Sequence, residues 1–329
     1  MKAVLMDGFG GVEVLRVGEA PRPQPSEGQV LIRVMATSIN RPDLVQRAGK
    51  YPPPPGESDI LGLEVSGIIE ETGPGVTGWK RGDRVMSLVG GGGYAEYAVA
   101  YANHPMRIPD SMSFEEAACV CESYITAFLN VFILGELGDN QFALLHGGGG
   151  GVNTAAVQLC RALVPNTKLI VTASPEKMDR VKALGVDLVI NYKETPDFSE
   201  AVKTFTGKRG VDVILDHIGA RYLEPNMNSL AYAGRLVLIG VTSGIKAELN
   251  LGLMMVKRQR IIGSVLRSRP VSEKGEIVAE FTRRALPRFA DRSIVPLIEK
   301  VFPLEEVQAA HRMMEEDRHF GKIVLSVAG

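Results

Sequence analysis

Residues 141–160, QFALLHGGGGGVNTAAVQLC, join three patterns without a break. Residues 142–145 are a short apolar run of the kind buried on both faces of a parallel sheet. Gly147, Gly148, Gly149, Gly150 and Gly151 follow one residue later, and Val152, Ala155, Ala156 and Leu159 then recur at helical spacing. Strand, glycine turn and helix in that order predict a dinucleotide-binding turn. Glycines let the backbone turn sharply and let a pyrophosphate approach main-chain N–H groups, while the positive end of the helix stabilises its charge. A flexible linker would not be wedged between a buried strand and an amphipathic helix. Asn153 stands where the last glycine of such a fingerprint permits close helix–strand packing, and its side chain could cap the helix instead.

The second half of the site should follow at the next strand, residues 168–173. An NAD site would place an acid near that strand's end to hold the ribose 2′-hydroxyl. No acid sits at the end itself. Ser174 and Lys177 do follow it, and a hydroxyl with an ammonium suits a 2′-phosphate, so the pattern favours NADPH over NADH. Glu176 dissents, although a first-turn acid has its own place in a helix over 176–184.

The chain has 329 residues, enough for two domains of ordinary size. Its 37 basic and 38 acidic residues are well mixed, which argues against nucleic-acid or membrane binding by blanket charge. With only Cys119, Cys121 and Cys160 there is neither a disulfide framework nor a four-cysteine zinc lobe. Residues 1–7 lack a hydrophobic signal core and no apolar run approaches a membrane span, so a soluble cytoplasmic protein is expected.

In order, the first third reads as β-rich. Its clearest strand is 30–36, followed by shorter ones at 65–69, from Arg84 and at 94–99. The glycine run 90–93 leads into alternating strand residues and not into a helix. It therefore reads as a hairpin or surface loop and not as a phosphate cradle. Ser113 is a plausible cap for a helix over 114–121, with another through 126–134. Strands at 142–145, 169–172, 188–190, 211–215, 235–239 and 261–263 then alternate with helical segments, the pattern of a doubly wound parallel sheet. A helix near 276–286 should stop at Pro287, and a closing strand at 323–327 should return to the first domain.

Residues 38–43 (SINRPD), 46–54 (QRAGKYPPP), 61–67 (LGLEVSG), 82–85 (GDRV), 154–159 (TAAVQL), 191–193 (NYK), 215–219 (LDHIG), 265–269 (VLRSR) and 321–325 (GKIVL) give the sequence a specific pattern, and in it the chain resembles the zinc-independent quinone oxidoreductases of the medium-chain dehydrogenase/reductase superfamily, within the tumour-suppressor-inducible, zeta-crystallin-like group. The resemblance covers essentially the whole chain. It implies a mixed α/β fold: a GroES-like catalytic domain over 1–122 and 264–329, and a Rossmann NADPH-binding domain over 123–263. Relatives pair as homodimers, and a sheet edge formed by 235–239 and the following region would serve that pairing.

In the related zinc alcohol dehydrogenases a cysteine occupies the place of Asn40 and a histidine that of Leu63, so no zinc site can be built from those positions. His104, His146, His217, His311 and His319 show no ligand spacing. Without a Lewis acid the acceptor should already be electrophilic, such as a quinone. The resemblance thus implies an NADPH:quinone oxidoreductase. Asn40 and Thr126 would border the nicotinamide, and Tyr51 would line the substrate cleft and donate to the acceptor oxygen, or else pack on its neighbouring prolines. Arg41, Asp43 and Glu64 could equally form a buried ion-pair network. The same resemblance gives the pyrophosphate to residues 147–152, the 2′-phosphate and ribose to Ser174, Lys177 and Tyr192, and the adenosine side to Ile218 and Gly219. Val265, Leu266 and Arg267 would approach the nicotinamide, and Lys322 would reach the cofactor. Two alternatives remain: an NADPH-dependent enone or alkenal reductase, and a non-catalytic NADPH-binding protein of crystallin-like or RNA-associated role.

Overall fold

In the computed structural model, which describes residues 1–327, the strands in chain order are β1 (Lys2–Met6), β2 (Leu15–Glu19), β3 (Gln29–Ile39), β4 (Glu64–Thr72), β5 (Arg84–Leu88), β6 (Tyr97–Tyr101), β7 (Met106–Arg107), β8 (Phe142–His146), β9 (Lys168–Ala173), β10 (Leu188–Asn191), β11 (Val211–Asp216), β12 (Leu230–Leu238), β13 (Arg260–Gly263), β14 (Ile298–Pro303) and β15 (Lys322–Ser326). They fall into two units. One comprises residues 1–125 with the chain from 266 onward, the other residues 126–265.

The first unit is gathered by β3, whose run of β-branched and apolar residues is suited to burial on a pleated surface. It pairs antiparallel with β4, β6 and β15, in a sheet ordered β14-β15-β3-β4-β5-β7. At Gly67 a Cβ would lie 2.1 Å from the carbonyl oxygen of Arg33, so only glycine lets β4 approach β3 there. Val30, Ile32, Val65, Ile69 and Leu325 pack in the resulting core. The closing strand is found one residue earlier than the sequence suggests, and it does join the sheet of the first unit.

Three expectations for this unit are corrected. Residues 90–93 are buried, and β5 and β6 on either side pair with other strands, so the glycine run is neither a hairpin nor a surface loop. Ser113 does cap its helix, accepting from the Glu116 N–H, but that helix covers only Phe114–Ala117. Pro287 does not stop a helix. Val271–Arg284 ends before it, and Pro287 lies in the first turn of Leu286–Ala290, where a missing N–H has no cost.

A helix over Cys121–Phe128 leads into the second unit and passes into a π-helical segment, Leu129–Leu134. There the Asn130 side chain donates to the Thr126 carbonyl at 2.7 Å, replacing part of the regular ladder. The second unit's sheet is parallel throughout and ordered β10-β9-β8-β11-β12-β13. The order reverses at β8 and β11, and in such sheets ligands bind outside the carboxyl ends of the strands at that switch point. The expected edge is also corrected. β12 starts early, at Leu230, and is covered by β13, which forms the edge. Ile245, Leu251, Met255 and Val256 are exposed in the segment between these two strands. Among the described residues no helix is long and apolar enough to cross a membrane.

Candidate functional site

In the second unit, β8 runs into the glycine turn and the turn into the helix Gly151–Leu163, as the sequence pattern requires. Gly147 has φ +80°, in the region that favours glycine. A Cβ on Gly148 would lie 2.5 Å from a Val171 methyl, and one on Gly149 would lie 2.4 Å from Cδ of Lys177. The turn thus presents bare backbone, with the Lys177 stem beside it. Asn153 does not cap the helix. The cap position is Gly150, without a side-chain bond, and the Asn153 Oδ1 is buried with no partner.

The neighbouring strand ends bring further expected residues to the same end of the sheet. Ser174 follows β9, and the Tyr192 N–H donates to the Ala173 carbonyl, placing the end of β10 beside it. After β11 the backbone N–H groups of Ile218 and Gly219 donate to Asp216, and Gly219 has φ +83°. Burial pushes the Asp216 carboxyl up to about 6, against those N–H donors and the Asn226 amide. Glu176 lies among the expected phosphate ligands. Its own backbone N–H, the Ser174 hydroxyl and the Lys193 ammonium pull its carboxyl down to about 2. It is an anion held by two of the residues at that corner. Bare glycine backbone, the buried orphan oxygen of Asn153 and the buried, unpartnered hydroxyl of Thr126 all fit a nicotinamide dinucleotide with open polar groups.

The first unit holds a different cluster. Glu64 is completely buried, and its carboxylate accepts from Ser38 Oγ (2.5 Å), Asn40 Nδ2 (2.9 Å), Lys322 Nζ (3.0 Å) and the backbone N–H of Glu122 (2.8 Å). Lys322 also donates to Asn40 Oδ1 at 2.6 Å and to the Ile39 carbonyl at 3.3 Å. Its three ammonium protons therefore have three acceptors in this unit. The residue expected to reach the cofactor instead locks the Asn40 amide. The expected ion-pair network is also different. Arg41 pairs with Asp317 at the surface, and Asp43 is held by the Asn40 and Gly62 N–H groups and the Tyr94 hydroxyl. Burial outweighs those donors and raises the Asp43 carboxyl to about 6.

Tyr51 is half-buried, with the Arg267 guanidinium 5.2 Å from its ring centre. Arg267 spends Nε and Nη2 on the Gly90 carbonyl, while its Nη1 is buried with no partner. Leu266 is buried, and Val265 is about half exposed in the second unit. Glu122 had no place in the sequence reading. Its signal was available: a lone carboxylate in the apolar stretch 117–125.

Sequence comparison finds the family described as "Alcohol dehydrogenase GroES-like domain" at residues 26–110 and that described as "Zinc-binding dehydrogenase" at 151–283. A quinone oxidoreductase of Rattus norvegicus is 32% identical, over 99% of this chain and 97% of its own. A human synaptic vesicle membrane protein VAT-1 homolog is 31% identical, over 99% and 86%. A mycobacterial protein solved in complex with NADPH superposes with a TM-score of 0.88 at 28% identity, covering 99% of this chain and all of its own. A catalytic zinc does not fit the residues present. Among the described residues no three His, Cys, Asp or Glu are placed to hold a metal, Leu63 is apolar, and the Asn40 amide is already engaged by Glu64 and Lys322.

Two outcomes follow from this geometry. Gly148→Ala should weaken dinucleotide binding, measured by cofactor fluorescence titration, by roughly tenfold or more, about 1.4 kcal/mol, with the circular dichroism spectrum retained. Lys322→Met leaves Glu64 as an uncompensated buried charge and should lower stability in urea by about 3–5 kcal/mol.

Proposed function

Because the chain belongs to the quinone-oxidoreductase-like group of the medium-chain dehydrogenase/reductase superfamily, and is an oxidoreductase of that fold, we propose that it reduces quinones with NADPH by direct hydride transfer and without zinc. The observation that carries this reading is the Asn40 cluster. An amide held between a carboxylate and an ammonium is not available as a metal ligand, which supports an acceptor that is electrophilic on its own. The nicotinamide, when bound, supplies the hydride. The chain's own residues supply binding and orientation: the glycine turn for the pyrophosphate, Ser174, Lys177 and Tyr192 for the 2′-phosphate end, and Ile218 and Gly219 for the adenosine side. Thr126 and Asn40 serve the nicotinamide end, with Val265, Leu266 and Arg267, and Tyr51 serves the acceptor. The NADPH complex of the mycobacterial neighbour and the activity named for the rat relative support the same reading. We further propose a homodimer formed through the β13 edge and the exposed apolar side chains next to it.

NADPH oxidation should proceed with ortho- or para-quinones and be insensitive to chelators. Turnover with a conjugated enone but no quinone would move the substrate to the alternative class, and no turnover with NADPH bound would leave a binding protein. Glu176→Gln removes the anion that competes for Ser174 and Lys193. The ratio of kcat/KM for NADPH over NADH should therefore rise roughly tenfold, about 1.4 kcal/mol, and an unchanged ratio would take the 2′-phosphate away from this corner. In sedimentation the protein should be a dimer and Ile245→Asp should shift it toward monomer; a monomeric wild type would end the dimer proposal.

A further inference from the structure

We propose that Glu122 is the proton donor of the reduction, the acid that completes the reduced acceptor once hydride has arrived. The inference rests on the quinone-reductase reading above and adds a residue to it. Hydride transfer alone leaves the reaction unbalanced. A quinone that takes up two electrons and one hydrogen becomes a hydroquinone monoanion. One O–H bond of a carboxylic acid must break, and one O–H bond on that anion form, to give the hydroquinone. The acid is left as a carboxylate and regains its proton from water.

Four observations place this role on Glu122. First, the residue is anchored, because its backbone N–H donates to the buried Glu64 carboxylate at 2.8 Å. Second, its own carboxyl has no hydrogen-bond or ion-pair partner among the described residues. The residue is half-buried, and neither oxygen is a fully enclosed orphan. Third, none of the cations around it bonds to its carboxyl among the described residues. Lys322 is held by Asn40, Ile39 and Glu64, Arg267 by the Gly90 carbonyl, and Lys274 by the Arg267 carbonyl. The acids Glu64 on β4 and Asp43 on the helix Arg41–Arg47 repel its charge. Burial first, and then Glu64, raise the carboxyl to about 8, with Lys322 and Arg267 only partly opposing, so the group holds its proton at neutral pH. Fourth, Tyr51 lies within the electrostatic reach of both Glu122 and Arg267. The Glu122 backbone is bonded to the same Glu64 carboxylate that holds the Asn40 amide, and the Arg267 guanidinium with its free N–H lies 5.2 Å from the Tyr51 ring centre, so acid, guanidinium and phenol belong to one unit, each suited to an acceptor oxygen.

The test compares wild type, Glu122→Gln and Glu122→Asp in quinone reduction with saturating NADPH across pH, beside infrared titration of the cofactor-free proteins. The wild-type kcat should be level below about 8 and fall above it. Glu122→Gln should lose that alkaline limb and roughly 10²-fold in kcat with KM little changed, and Glu122→Asp should restore a limb. In the cofactor-free wild type a protonated-carboxyl band should vanish as pH rises through about 8 and be missing from Glu122→Gln. A Glu122→Gln enzyme with wild-type kcat, or with the alkaline limb intact, overturns the proposal while leaving the quinone reading in place, as does a band unaffected by the substitution. Absence of wild-type turnover with every quinone overturns the reading and this proposal together.

Discussion

The first unit depends on a charge that should not be where it is. Glu64 is fully enclosed, and an isolated carboxylate there would be untenable. It persists because four donors from four places in the chain converge on it: Ser38 on β3, Asn40 at the head of a helix, the backbone of Glu122, and Lys322 on the closing strand. A buried pair of this kind adds little net stability over an apolar substitute, but removal of one partner is severe. Its value here is positional. The pair fixes the Asn40 amide, seats the start of the helix that carries Glu122, and ties β15 to β3 through side chains as well as through the backbone ladder.

The second unit solves a different problem, the approach of backbone to an anionic ligand. Its sheet places β8 and β11 side by side where the strand order reverses, and the turn after each strand is built around a positive-φ glycine, Gly147 or Gly219. Beside that point the Asn153 amide oxygen is left open where a folded protein ordinarily pairs such a group. The exception is the corner after β9, where Glu176 engages Ser174 and Lys193. The hydroxyl and the ammonium at that corner therefore already face a carboxylate of the chain itself.

What was legible in the sequence was local. The strand–glycine–helix run, the alternation from residue 142 to 263 and the Ser113 cap each depend on neighbours a few residues apart, and each is present in the structure. What escaped depends on distant partners. The glycine run 90–93 looks like a loop until Arg267 is seen to hold its carbonyl across 177 residues. Lys322 reads as a cofactor ligand until Asn40 is found 282 residues away. Glu122 reads as one acid in a helix, and only its burial, with Glu64 and Asp43 nearby, gives that acid its character. The edge of the second sheet was misplaced for the same reason, since nothing in residues 235–239 announces that β13 will cover them.

The return of β15 to β3 also bears on how the protein is made. The second unit is one continuous stretch of chain and can form as soon as it is synthesised, but the first unit is interrupted by it. Lys322 lies 283 residues beyond Ile39, a gap of roughly 15–60 s at ribosomal speeds of about 5–20 residues per second. For that interval β3 presents an unpaired edge and Glu64 lacks its cation, so the nascent chain carries an unfinished sheet exposed to wrong partners. A chain cut short before residue 322 would retain a complete nucleotide fold while its other half stayed open, a natural substrate for chaperones and proteases.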